Sequence, residues 1–169
     1  HDLTMNCWEV LGDLGGAGSS GDGGGVGLVA VDQVVEGVQP VGDVVGGGGL
    51  DGGWFDRHLT ADPTVLFRIF RYPARPRVDD GWGVAEHTDY GLLTILAHDG
   101  RPGLQVRGAA GWIDVPAVPD AFVVNLGDML EAMTGGRYRS TPHRVASATD
   151  GPDRLSFPVF FDPSWDAHV

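Results

Sequence analysis

The sequence predicts a mainly β chain over its last two thirds, a β-sandwich or jelly-roll barrel with one short internal helix, behind a poorly ordered N-terminal third. Three observations carry that prediction: eight short runs rich in β-branched and aromatic residues, turn residues punctuating them, and little helical periodicity. A helix-like piece at 54–61 comes first and stops before Asp62-Pro63, because the residue preceding a proline is pushed out of the helical region. The first strand, 65–72, is built from residues such as Val65, Phe67, Ile69 and Tyr72 and ends at Pro73-Ala74-Arg75-Pro76. Strands follow at 83–88, 92–97, 104–107, 112–115 and 121–126, with turns at Asp99-Gly100, Ala110-Gly111 and Pro119-Asp120. The helix is expected at 128–134, with Asp128 as its cap, Glu131 three positions on, and Gly135-Gly136 closing it. The last two strands, 143–148 and 154–161, flank Asp150-Gly151-Pro152.

Composition divides the chain near residue 53. Residues 1–53 hold 17 of the 28 glycines, eight acids and no arginine, whereas 54–169 hold all 11 arginines and ten of the 11 prolines. Glycine loses more backbone entropy on folding than any other residue, and short runs such as 28–31 offer little to bury. Residues 1–53 are therefore expected to be disordered or read from a shifted frame, and 54–169 to form the functional domain. A nominal G-x-G-x-x-G at 16–21 is a chance match where glycine fills about a third of positions, and no helix former follows it. The chain opens on His1 and stops at Val169 soon after the last strand, so it reads as a fragment truncated at its C-terminus.

Charge excludes several function classes. A net charge of −12 leaves no basic surface to follow a phosphate backbone, so nucleic acid is not an expected partner. The absence of lysine removes P-loop and Schiff-base chemistry, both of which need an amine. One cysteine, Cys7, can form neither an internal disulfide nor a thiolate cluster, which fits a reducing cytoplasmic compartment. No run approaches the ~18 apolar residues of a membrane span. What remains is a cytoplasmic monomer acting on a small molecule, away from membranes.

The chemistry sits on the strands. In His87-Thr88-Asp89, residues two apart project from the same face of an extended segment, so an imidazole and a carboxylate can share one cation. Alone, H-x-D is more often a surface histidine beside an acid in a turn. His143 changes the balance, because it opens a strand 54 positions beyond Asp89 that a jelly roll can bring alongside. Two histidines and one carboxylate suit iron(II) with open positions, whereas a structural metal is normally closed by four protein ligands. Arg154-Leu155-Ser156 is a second alternating pair: a guanidinium inside a barrel is costly unless it meets an anion, and its planar fork grips a carboxylate. The bland alternative there is an exposed strand arginine.

Other residues stay open. His98 is a weaker ligand candidate at a turn, Asp128 either caps its helix or steadies a ligand, and Asn125 either faces the cavity or satisfies backbone. Trp82, Trp112, Phe122, Phe157 and Phe160 are assigned to the core rather than to substrate stacking.

Taken in order, Phe70-Arg71-Tyr72-Pro73, Glu86-His87-Thr88-Asp89, Asn125-Leu126-Gly127-Asp128, His143-Arg144-Val145 and Arg154-Leu155-Ser156 resemble the isopenicillin N synthase-like iron(II)/2-oxoglutarate dioxygenases over about residues 54–169. The resemblance implies a double-stranded β-helix. It further implies iron(II) on His87, Asp89 and His143, and the distal carboxylate of 2-oxoglutarate on Arg154, Ser156 and Tyr72, with no catalytic side chain beyond the metal centre. The implied reaction consumes dioxygen and decarboxylates 2-oxoglutarate to succinate while a small organic substrate is hydroxylated or desaturated. A related iron oxidase that uses no 2-oxo acid, and an inactive metal-binding remnant, are the alternatives. The N-terminal region that supports the barrel in this family has no counterpart in residues 1–53.

Overall fold

The computed structural model describes residues 53–74, 81–147 and 151–169 together with the strand Gly27–Ala30, here β1. The elements that follow are α1 (Trp54–His58), β2 (Pro63–Phe67), β3 (Phe70–Tyr72), β4 (Trp82–His87), β5 (Leu93–His98) and β6 (Leu104–Gly108). Then come β7 (Gly111–Asp114), β8 (Ala121–Leu126), α2 (Asp128–Met133), β9 (His143–Ala146) and β10 (Arg154–Ser164). The expectation of disorder or a shifted frame in 1–53 lies, apart from β1 and Gly53, outside the described residues.

Two sheets form the domain. One runs β1-β8-β5-β10-β2 with β3 also paired to β10, and the other runs β4-β9-β6-β7. Pairing is antiparallel throughout except for β1, which lies parallel to β8. The inner faces enclose Tyr72, Leu104, Val106, Val115, Val123 and Val145, with Val106 fully buried. Burying such side chains, at about 25 cal/mol per Å² of apolar surface, is what holds the sheets face to face. A second cluster of Leu92, Leu126, Leu130 and Tyr138 seats α2 on the end of the sandwich. The jelly-roll fold expected from the sequence is thus the fold observed. Among the described turn residues between strands, Gly100, Gly111, Asp120 and Gly151 take left-handed backbone (φ 81°, 138°, 55° and 89°).

Three local expectations need correction. The strand expected at 65–72 is broken at Arg68-Ile69 into β2 and β3: the register against β10 runs on unchanged, but Pro158, opposite Arg68, accepts the Arg68 N–H at 3.0 Å and has no N–H to return the bond. Asp128 does not cap α2; Gly127 occupies the cap without a side-chain bond, and the Glu131 carboxylate accepts the Ser140 N–H at 2.6 Å instead of reaching back. Trp82 is 44% exposed rather than core. It stacks on Arg144, whose guanidinium lies 3.8 Å from the Trp82 ring centroid and 3.9 Å from that of Trp112.

Gly127 shows how tightly this end is built. A Cβ there would fall inside van der Waals contact of the Gly91 backbone, which cannot swing aside as a side chain could. Gly127→Ala is expected to destabilise the domain by about 3 kcal/mol, the upper part of the overpacking range, measured as a lowered midpoint in urea unfolding. Among the described residues no helix is long and apolar enough to cross a membrane.

Candidate functional site

His87 ends β4, Asp89 lies two residues beyond, and His143 opens β9, which pairs with β4 so that His87 and His143 are direct cross-strand partners. Their rings lie 4.2 Å apart, centroid to centroid. One ligand atom from each of the three residues lies within 4.8 Å of the others, with Asp89 Oδ1 3.9 Å from both Nε2 atoms.

The hydrogen bonds around the three residues aim them. His87 Nδ1 meets the Ala85 carbonyl at 2.8 Å and His143 Nδ1 meets the Thr141 carbonyl at 3.1 Å. A carbonyl only accepts, so each Nδ1 carries the proton and each Nε2 presents a lone pair to the common centre. Burial holds the His143 pKa below the ordinary histidine value, against the opposing Thr141 and Asp89 contributions, which keeps its ring neutral. On Asp89, Oδ2 accepts from Thr94 Oγ1 at 2.6 Å and from Asn125 Nδ2 at 2.7 Å, leaving Oδ1 turned toward the imidazoles. Two imidazole nitrogens and one carboxylate oxygen form a donor set that suits a divalent iron ion.

Helix α2 secures the loop that carries Asp89. Its first backbone N–H groups have no partner within the helix, and they are used here: Asp128 N–H donates to Asp89 O at 2.7 Å, and Met129 N–H to Tyr90 O at 3.1 Å. Thr88 Oγ1 also donates to Asp128 Oδ2 at 3.0 Å, so Asp128 steadies this loop rather than capping the helix.

A second cluster lies on the opposite sheet. Arg154 opens β10 and is 3% exposed; Ser156 on the same face is 2% exposed. β10 is anchored here by Leu155 N–H donating to Asp99 Oδ2 at 2.7 Å. Tyr72 is the register partner of Arg154 on β3. The guanidinium carbon sits 5.0 Å from the Tyr72 ring centroid, and Ser156 Oγ donates to Tyr72 Oη at 3.4 Å. Arg154 Nε meets the Arg101 carbonyl at 3.4 Å, but Nη1 is buried with no partner among the described residues. A buried cation with an unsatisfied N–H is costly, and an incoming carboxylate removes both penalties.

Both clusters line one cavity of about 340 Å³, with Leu96, Leu104, Val106 and Val145 forming apolar walls between them. His98 is not part of it: its Nδ1 accepts the Gly100 N–H at 3.0 Å in the turn after β5. Phe160, assigned to the core from sequence, lines the cavity instead. Thr94 escaped the sequence reading because threonine is an ordinary strand residue. Asn125 carried a readable signal, a lone amide in the apolar run Val123-Val124-Asn125-Leu126. Replacing Thr94 by valine together with Asn125 by alanine is expected to weaken iron(II) binding by about 10–100-fold, measured by competition with a chelator.

Residues 63–163 match the family model of the 2OG-Fe(II) oxygenase superfamily. The chain is 48% identical over 134 residues to a Dictyostelium discoideum protein described as "Probable iron/ascorbate oxidoreductase", covering 70% of this chain and 37% of that one. It is 40% identical over 124 residues to 1-aminocyclopropane-1-carboxylate oxidase 1 of Cucumis melo, covering 72% of this chain and 39% of the relative. Among solved structures, JOX2 in complex with 2OG, Fe and JA superposes with a TM-score of 0.67 at 34% identity, over 72% of this chain and 36% of that one. The chain therefore spans less than half the length of these relatives.

Proposed function

The chain belongs to the 2OG-Fe(II) oxygenase superfamily, and on that premise we propose that it is the catalytic barrel of an iron(II)- and 2-oxoglutarate-dependent oxygenase acting on a small organic molecule. His87, Asp89 and His143 hold the iron. Arg154, Ser156 and Tyr72 hold the distal carboxylate of 2-oxoglutarate. The observation that carries this reading is Arg154: a buried guanidinium with an orphaned Nη1, in the same cavity as the three candidate ligands.

When bound, the iron supplies dioxygen activation, coupled to oxidative decarboxylation of 2-oxoglutarate to succinate and carbon dioxide and to oxidation of the substrate. The protein supplies position and environment. Arg154 and Ser156 bind one end of the 2-oxo acid and point its other end at the triad, and the Tyr72 ring backs the guanidinium. Leu104, Val106 and Val145 exclude water from the space between, which strengthens each charged contact. The two backbone carbonyls hold the histidine Nδ1 atoms, so each Nε2 faces the metal position. Cytoplasm suits a chain with one cysteine.

The relatives named as 1-aminocyclopropane-1-carboxylate oxidases favour a second reading, in which Arg154 and Ser156 hold the substrate's own carboxylate and no 2-oxo acid is used. Incubating the protein with iron(II), ascorbate and 2-oxoglutarate, without added substrate, separates the two. Slow succinate release that depends on iron is expected. Measurable iron binding with no succinate above the metal-free control would favour the second reading.

A further inference from the structure

The cavity contains a second arginine. Arg68 lies at the break between β2 and β3, and in the period-2 alternation of that segment Arg68, Phe70 and Tyr72 all line the cavity while Arg71 points outward to an ion pair with Asp153. On β10 the matching wall is Arg154, Ser156, Pro158 and Phe160. Register gives their order: Arg154 faces Tyr72, Ser156 faces Phe70 and His98, and Phe160 faces Leu66 and Thr94. Thr94 holds Asp89, so the triad sits at the Phe160 end and Arg154 at the other. Arg68, bonded through its N–H to Pro158 O, belongs to the triad end. Four residues of strand, about 13 Å, separate it from Tyr72, so one small 2-oxo acid anchored on Arg154 and reaching the triad does not also use Arg68.

Arg68 is exposed, and no ion pair neutralises it among the described residues. The arginine ion pairs among the described residues use Arg71 and Arg101, not Arg68. Its guanidinium carbon lies 5.9 Å from the Phe160 ring centroid, a contact that orients the group without neutralising it. Tyr90 also lines the cavity and is 60% exposed. The triad end thus offers a cation, the Phe160 ring and a phenol.

Resting on the oxygenase reading above, we propose that Arg68 binds an anionic group of the primary substrate, so that the substrate class is small organic acids with an apolar or aromatic body, gripped by their carboxylate at the mouth while their carbon framework lies beside the iron. Arg68 here is a specificity residue and takes part in no bond making.

Phenylacetate and phenylacetamide test this, because they share a shape and differ in charge. Their binding is measured by calorimetry on the iron(II)-loaded protein under nitrogen with saturating 2-oxoglutarate, which blocks Arg154, and is repeated on Arg154→Ala to exclude binding there. The acid is expected to bind about tenfold tighter than the amide. Arg68→Ala removes that preference, Arg68→Lys keeps most of it, and Arg154→Ala leaves it intact. Equal affinities, no binding of either probe, or a preference that survives in Arg68→Ala overturns the proposal. Binding of 2-oxoglutarate is read in the same titrations: its absence from the wild-type protein counts against the oxygenase reading alone, since the Arg68 preference is then still measured on Arg154→Ala.

Discussion

Iron(II) is expected to leave the protein when His143 is replaced by alanine, and to stay when His98 is replaced. His143 supplies one of three candidate ligand atoms within 4.8 Å of each other. Its ring is held neutral by burial, and its Nδ1 proton is committed to Thr141 O. With it gone, His87 and Asp89 offer one nitrogen and one oxygen at the open end of the cavity. Residues that merely orient a ligand cost about 10–100-fold in metal affinity when lost, so removing a ligand should cost more than about 100-fold. His98 sits in the turn after β5 with Nδ1 bonded to the Gly100 N–H, and its loss should leave iron content unchanged. Metal analysis after dialysis against iron(II), with circular dichroism to confirm folding, reads both variants. Iron lost from the His98 variant and kept by the His143 variant would overturn the assignment.

Arg154→Ala should abolish most 2-oxoglutarate affinity while iron remains. Two charge-assisted hydrogen bonds to a carboxylate in a water-poor cavity contribute about 3 kcal/mol, or about 100-fold in affinity. A second variant separates binding from folding. Arg154→Met fills much of the same volume without the charge, and removing a buried cation that has no counter-ion should stabilise the ligand-free protein by about 1 kcal/mol or more. The variant is thus expected to melt higher than wild type without 2-oxoglutarate and to gain nothing when it is added. Equal loss of iron and 2-oxoglutarate would count against the role given to Arg154.

Much of this site was legible because its chemistry repeats at the period of a strand. His87 with Asp89 and Arg154 with Ser156 are pairs two apart, and strand alternation puts each pair on one side. What the sequence did not disclose depends on which strands become neighbours. Residues 65–72 read as one strand because Val65, Phe67, Ile69, Phe70 and Tyr72 favour β structure, yet the ladder is interrupted at Arg68-Ile69, where the facing Pro158 of β10 has no N–H to donate. Thr94 became a partner of Asp89 only once β5 lay beside β8, placing Thr94 opposite Asn125. The spacing of Asp128 and Glu131 matched a capping box, but their carboxylates found Thr88 and Ser140, partners outside the helix that no local pattern encodes. Trp82 was misassigned for a similar reason, since an arginine on the neighbouring strand offers a tryptophan ring a stacking partner at the surface.

On the proposed function, iron and 2-oxoglutarate occupy one cavity, held by His87, Asp89 and His143 at one end and by Arg154, Ser156 and Tyr72 at the other. This is tested most directly by titrating 2-oxoglutarate into the protein under nitrogen, with and without iron(II). If both bind in contact, each must raise the affinity of the other by the same factor. Iron(II) is expected to tighten 2-oxoglutarate binding by at least about tenfold, 2-oxoglutarate to tighten iron equally, and the coupling to vanish in His143→Ala. Independent binding of the two, with identical 2-oxoglutarate affinity whether or not iron is present, would contradict it.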